Sequence, residues 1–197
     1  VNTTHIYPGS FYKVLKKKRY INKPLKMISI GRLTEEKGFD ILIKAFKNID
    51  KSKYKLFIIG DGIKKDSILK LIKLYKLQNN IKLLGFKKNI YPYLKKSDLL
   101  INSSYFEGFP NVVIESLSCG VPVICSKSHG GIYEILKNQS YGDLFENGNI
   151  NDLESKILSF LKNLNKLINK SFKGQADLNR FSEIQSVKKY EKIFLNL

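Results

Sequence analysis

The 197-residue chain is poor in cysteine. Cys119 and Cys125 are its only two, and they form no Cys-x-x-Cys. Two cysteines cannot build a disulfide framework, and a reducing cytosol is the natural expectation. No run of about 18 apolar residues occurs, so no membrane-spanning helix is expected. The first ten residues lack a charged stretch followed by an apolar one, so no signal peptide is expected either. No His, Asp and Cys cluster has metal-ligand spacing, so no metal is expected. Arginine is the other scarcity. Only Arg19, Arg32 and Arg180 occur among 35 basic residues, against 17 acidic ones, for a net charge of +18. Phosphate and base readout lean on the planar arginine fork. With Asn and Ile also abundant, the lysine excess reads as AT-rich coding and a solvated surface, and no nucleic acid partner is expected. The run Lys16-Lys17-Lys18-Arg19 fits peripheral contact with an anionic membrane.

What remains is ordinary for a folded domain: 43% hydrophobic and 26% charged residues, enough for a core and too apolar for disorder. Short apolar strands are expected at 27–30, 55–59, 81–84, 98–101, 121–125 and 143–145. Helices are expected at 39–46, 63–77, 90–96, 112–118, 133–136, 151–164 and 181–195. Apolar strands alternating with helices predict βαβ units around a buried parallel sheet, an α/β, doubly wound, Rossmann-like fold. In such sheets ligands bind beyond the carboxyl ends of the strands. Gly31-Arg32, Gly60-Asp61-Gly62, Gly85-Phe86, residues 103–110 and residues 126–131 each follow a strand, so these five loops should converge on one crevice.

Two loops carry the chemistry. Arg32 and Lys37 lie five residues apart around a strand-to-helix turn, where a diphosphate would give each cation a partner. Glu107 and Glu115 flank a helix start, with Pro110 and Asn111 as first-turn and capping residues. Free backbone N–H groups and the positive dipole end there suit a phosphate. Carboxylates on either side could accept hydrogen bonds from sugar hydroxyls. Solvated or lysine-paired charges would be the plainer reading of each. His129 reads as a polar loop residue and Cys119 as small core filler.

The segment from Glu107 to Glu115, continued by Ser116-Leu117-Ser118-Cys119-Gly120-Val121-Pro122-Val123-Ile124, resembles the E-x7-E region of the family 4 retaining glycosyltransferases. Gly31-Arg32-Leu33 with Glu36-Lys37-Gly38 is similar to that family's phosphate-binding segment. Gly130-Gly131-Ile132-Tyr133-Glu134-Ile135 resembles its G-G-[IV]-P-E-[IV] turn, with Tyr133 in place of proline. His5-Ile6-Tyr7-Pro8-Gly9 loosely resembles its interdomain I-P-N-G element.

The resemblance implies one half of a GT-B fold, the carboxyl-terminal donor-binding half. Residues 1–25 would be an interdomain segment, 26–180 the Rossmann-like domain, and 181–197 a helix crossing back to the other half, with Ile184, Val187, Tyr190, Ile193 and Phe194 partly exposed. Arg32 and Lys37 would neutralise the diphosphate of a nucleotide-sugar donor, with no metal or other cofactor. Glu107 would contact the sugar, and the backbone amides of Gly108, Phe109, Pro110 and Asn111 would touch sugar and phosphate. Glu115 would hold the ribose, Lys87 would lie near the base, and Gly31 and Gly62 would let backbone approach. The whole enzyme would pass a hexose or N-acetylhexosamine, carried on UDP, to a glycan or lipid-linked acceptor in surface polysaccharide synthesis at the cytoplasmic side of a membrane. The alternatives are a sugar-nucleotide epimerase of the same fold and a non-catalytic basic binding module.

Overall fold

A computed structural model describes residues 23–195 of the chain. Six strands form one parallel sheet: β1 (Leu25–Ile30), β2 (Tyr54–Ile59), β3 (Ile81–Leu83), β4 (Leu99–Asn102), β5 (Val123–Ser126) and β6 (Asp143–Phe145). Their order is β3-β2-β1-β4-β5-β6, so the direction of winding reverses between β1 and β4. Met27 pairs with Leu56 on one side and Leu99 on the other. The crevice over that reversal is where an open α/β sheet binds ligands.

Eight helices surround the sheet among the described residues: α1 (Phe39–Ala45), α2 (Lys65–Leu74), α3 (Tyr91–Lys95), α4 (Asn111–Ser118), α5 (Ile132–Ile135), α6 (Ile150–Lys162), α7 (Leu164–Ala176) and α8 (Glu183–Leu195). Successive strand residues point to opposite faces. Met27, Ile58, Ile101 and Ile124 therefore join one core with Phe39, Phe46 and Ile157 from α1, its carboxyl end and α6. Ile28, Ile59, Leu100 and Val123 join the other with Val113, Leu117 and Ile135 from α4 and α5. Both sheet faces are covered, which is why the strands are apolar throughout rather than alternating.

The expected elements are present with shifted ends, and one helix is new. The helix expected over 63–77 is shorter, because Lys76 adopts a left-handed φ of 54° just beyond it. β5 starts at Val123 because Pro122, which has no N–H for the ladder, contributes only its carbonyl, to Leu100 N at 2.9 Å. Helix α7 fills a stretch the sequence reading left without structure. Its buried face includes Ser171 and Gly174 beside Leu167 and Ile168, so half of its inward stripe is small or polar and weakens the periodic signal. Asn163 caps it, accepting from Lys166 N at 3.4 Å. The readings placed on residues 1–22, including the 5–9 element and the 16–19 basic run, lie outside the described residues.

At the carboxyl end, α8 buries only Ser186. Ile184, Val187, Tyr190 and Phe194 stand open on it and Ile193 is half-buried, as expected. What fixes the turn before it is Arg180. Its guanidinium lies 4.1 Å from the Phe181 ring centroid, its Nε 3.0 Å from Asp177 Oδ2, and its NH2 donates to the carbonyls of Glu134 and Ile135. Arg180→Ala should therefore destabilise the domain by about 2–3 kcal/mol in urea denaturation. Arg32→Ala, at a side chain 78% exposed, should cost under about 0.5 kcal/mol.

Candidate functional site

The five loops do converge, and backbone contacts stitch them together in the order of the strands. Gly60 N donates to Gly85 O at 3.1 Å, Gly31 N to Ile59 O at 3.0 Å, and Leu33 N to Asp61 O at 2.9 Å. On the other side Gly131 N donates to Gly108 O at 2.8 Å. Two glycines allow this closeness. A Cβ on Gly60 (φ 150°) would lie 1.8 Å from Gly31 O, and one on Gly130 (φ 112°) 1.9 Å from Glu107 O.

Between these two groups of loops, an ion pair closes the gap. Lys37 belongs to a 3-10 turn, Glu35–Lys37, that follows β1. The turn is fastened to the loop after β4, where Tyr105 N donates to Glu36 O at 2.8 Å and Ser103 Oγ to Lys37 O at 3.1 Å. The Lys37 stem passes Gly31 and its Nζ ends 2.7 Å from Glu107 Oε1, with the two side chains 19% and 12% exposed. The same oxygen accepts from Ser104 Oγ at 2.8 Å and Asn102 Nδ2 at 3.4 Å. Below lies Cys125, whose thiol is pushed far up by complete burial, with the Glu107 charge adding to the effect. It is inert floor.

The other expected residues fall around this pair. Arg32 stands in solvent, and among the described residues its one charged partner is Glu36, at 3.5 Å. Glu35 is taken by Lys64 at 2.8 Å. Gly62 follows β2, and Lys87 is half-buried in the loop after β3. The helix start is built differently from the expectation. Pro110 occupies the capping position, Asn111 is the first helical residue, and no side chain caps the helix. Pro110 carries no N–H, so the backbone donors of this stretch belong to Gly108, Phe109 and Asn111. The Phe109 ring is turned away into an edge-to-face contact with Phe181 at 5.5 Å, which leaves its backbone as the part that can meet a ligand. His129 and Gly108 are exposed, and Cys119 is fully buried.

Glu115 is the unusual group. It is half-buried on α4, its carboxylate has no hydrogen bond or ion pair among the described residues, and burial pushes its pKa up. A lysine-rich chain that leaves a half-buried carboxylate unpaired has left room for a hydroxyl donor.

Asn102, Ser103 and Ser104 were not singled out by the sequence reading. Their signal was a polar run ending the otherwise apolar β4, three to five residues ahead of Glu107. A separate cavity of about 850 Å3 lies between α1 and α2, behind Thr34, Glu35 and Tyr105. Both of its carboxylates are already paired, Glu35 with Lys64 and Asp40 with Lys44 and the Tyr105 hydroxyl, while Lys70 stands exposed at its edge.

Comparison with known proteins bears on the family and the fold. Residues 12–174 match the family described as Glycosyl transferases group 1. The chain belongs to that family. A relative from Campylobacter jejuni, N-acetylgalactosamine-N,N'-diacetylbacillosaminyl-diphospho-undecaprenol 4-alpha-N-acetylgalactosaminyltransferase, is 37% identical over 150 residues, which cover 76% of this chain and 40% of that protein. AmsD of Erwinia amylovora, an amylovoran biosynthesis glycosyltransferase, is 33% identical over 149 residues, again 76% and 40%. Anabaena HepE, crystallised in complex with UDP, superposes with a TM-score of 0.81 at 25% identity, over 88% of this chain and 49% of that one. The group 1 chain described here thus spans about two fifths to one half of these relatives, and its fold is the Rossmann-like half of a GT-B fold.

The Glu115 carboxyl gives a test in the absence of ligand. Its folded pKa is raised, whereas the unfolded chain holds an ordinary one. Folding stability therefore falls as pH rises through the window from the ordinary value upward. Glu115→Gln should raise stability at about pH 7 and leave it unchanged at about pH 3. Thermal melts at the two pH values check this.

Proposed function

We propose that this group 1 domain binds a UDP-linked hexose or N-acetylhexosamine in the crevice and presents it for retaining, metal-independent transfer to a glycan or lipid-linked acceptor. The observation that carries the reading is the half-buried Glu115 carboxylate without a partner among the described residues, on the helix that follows the loop of the Lys37–Glu107 pair beyond the carboxyl ends of β1 and β4. Glu115 would accept hydrogen bonds from the ribose hydroxyls. Lys37 and the exposed Arg32 would face the diphosphate, whose negative charge grows as the bond to the sugar breaks, so their effect is largest in the transition state. Glu107 would hold the sugar hydroxyls, and the start of α4 would lend its backbone donors to the phosphate. Retention puts the incoming acceptor oxygen on the face from which the diphosphate departs, so its proton can pass to the departing phosphate. Positive side chains at that spot do the work a metal would otherwise do.

Support for UDP as the carrier comes from HepE, and support for a lipid-linked acceptor and surface polysaccharide from the names of the Campylobacter and Erwinia relatives. The acceptor would be held by a second half that the aligned relatives have beyond the matched region, and this chain alone would turn over little donor. We place the reaction at the cytoplasmic face of a membrane. Leu69 and Leu74 stand exposed on α2 beside exposed Lys65, Lys70 and Lys73, a combination that suits anionic headgroups.

Titration calorimetry of the 197-residue chain with UDP, GDP and ADP should show saturable binding of the UDP series. Glu115→Ala should weaken it about tenfold or more and Arg32→Ala severalfold. Equal affinity for all three nucleotides, or binding indifferent to Glu115→Ala, would count against the reading.

A further inference from the structure

Three donors reach Glu107, and all three land on one of its two oxygens. Lys37 Nζ, Ser104 Oγ and Asn102 Nδ2 lie 2.7, 2.8 and 3.4 Å from Oε1. No hydrogen bond among the described residues ends on Oε2. Asn102 closes β4 and Ser104 lies two residues on, 6% and 2% exposed. The amide of Asn102 is itself held, because its Oδ1 accepts from Ser104 N at 3.4 Å, which turns its NH2 toward the carboxylate.

One of the three donors has a second partner to serve. On the donor-site reading, Lys37 must also meet the diphosphate. An ammonium shared with phosphate oxygens holds Glu107 less firmly, at the moment when the carboxylate has to stay in place for the sugar. A buried hydroxyl and a buried amide, both out of reach of solvent, do not change partners when the donor arrives.

We propose that Ser104 and Asn102 are positioning residues that keep one oxygen of Glu107 occupied while Lys37 engages the diphosphate, so that the other oxygen is left for the donor sugar. This rests on the donor-site reading above. Ser104 matters more, because its hydrogen bond is the shorter and a hydroxyl donating to a charged acceptor gives a strong bond. Neither residue touches the nucleotide, so their removal should be felt by the sugar and not by UDP.

The test compares affinities of the 197-residue chain for UDP, UDP-glucose and UDP-N-acetylglucosamine by calorimetry. Ser104→Ala should leave UDP affinity within about twofold and weaken the better-bound UDP-sugar about tenfold or more. Asn102→Ala should show the same sugar-only loss at a few-fold. Retained UDP affinity serves as the control for folding. Equal weakening of UDP and UDP-sugar, or no change in either, would overturn the proposal while leaving the donor site intact. A parent chain that binds neither UDP nor a UDP-sugar would overturn the donor-site reading, and this inference with it.

Discussion

An ammonium and a carboxylate, each less than one-fifth exposed, meet at 2.7 Å over the reversal point of the sheet. Either alone would be a costly buried charge. Together, and with two further donors on the same oxygen, they form a polar floor on which the rest of the crevice is arranged. Lys37 reaches the pair only because its turn is tied by hydrogen bonds to the loop after β4. Glu107 reaches it only because that loop leaves β4 through a buried polar run. The pair is thus a joint between the two halves of the sheet as well as a site.

That joint is poised rather than saturated. Lys37 can share its charge with a phosphate, Arg32 stands beside it with little to hold, and Glu115 waits half-buried with no partner among the described residues. A fully paired crevice would be more stable and less useful, since every ligand group would have to displace a protein one. On the donor-site reading, the Glu115 carboxylate, without a partner among the described residues, is stability given up for binding, a trade commonly found at functional sites.

Much of this was legible in the sequence because the strands are short apolar runs that stop at Gly31, Gly60 and Gly85, and because buried parallel strands have to look that way. Arg32 stood out by scarcity, and Glu107 and Glu115 by their spacing around Pro110. The partner of Lys37 was not legible. The two residues lie 70 positions apart, and one lysine among 32 carries no mark. Helix α7 was hidden because Ser171 and Gly174 sit on its buried face, where small size serves packing and erases the periodic signal. The capping role expected of Asn111 failed because Pro110 already fills that place.

The most direct test of the account is a map of backbone amide chemical shifts as UDP is added to the 197-residue chain. The account predicts that the largest changes fall on Gly31, Arg32, Lys37, Gly62, Gly108 and residues 111–115, the loops and the start of α4 that line the crevice. Changes centred instead on α2 and the cavity beside it, around Lys64, Ser67 and Leu71, would contradict it.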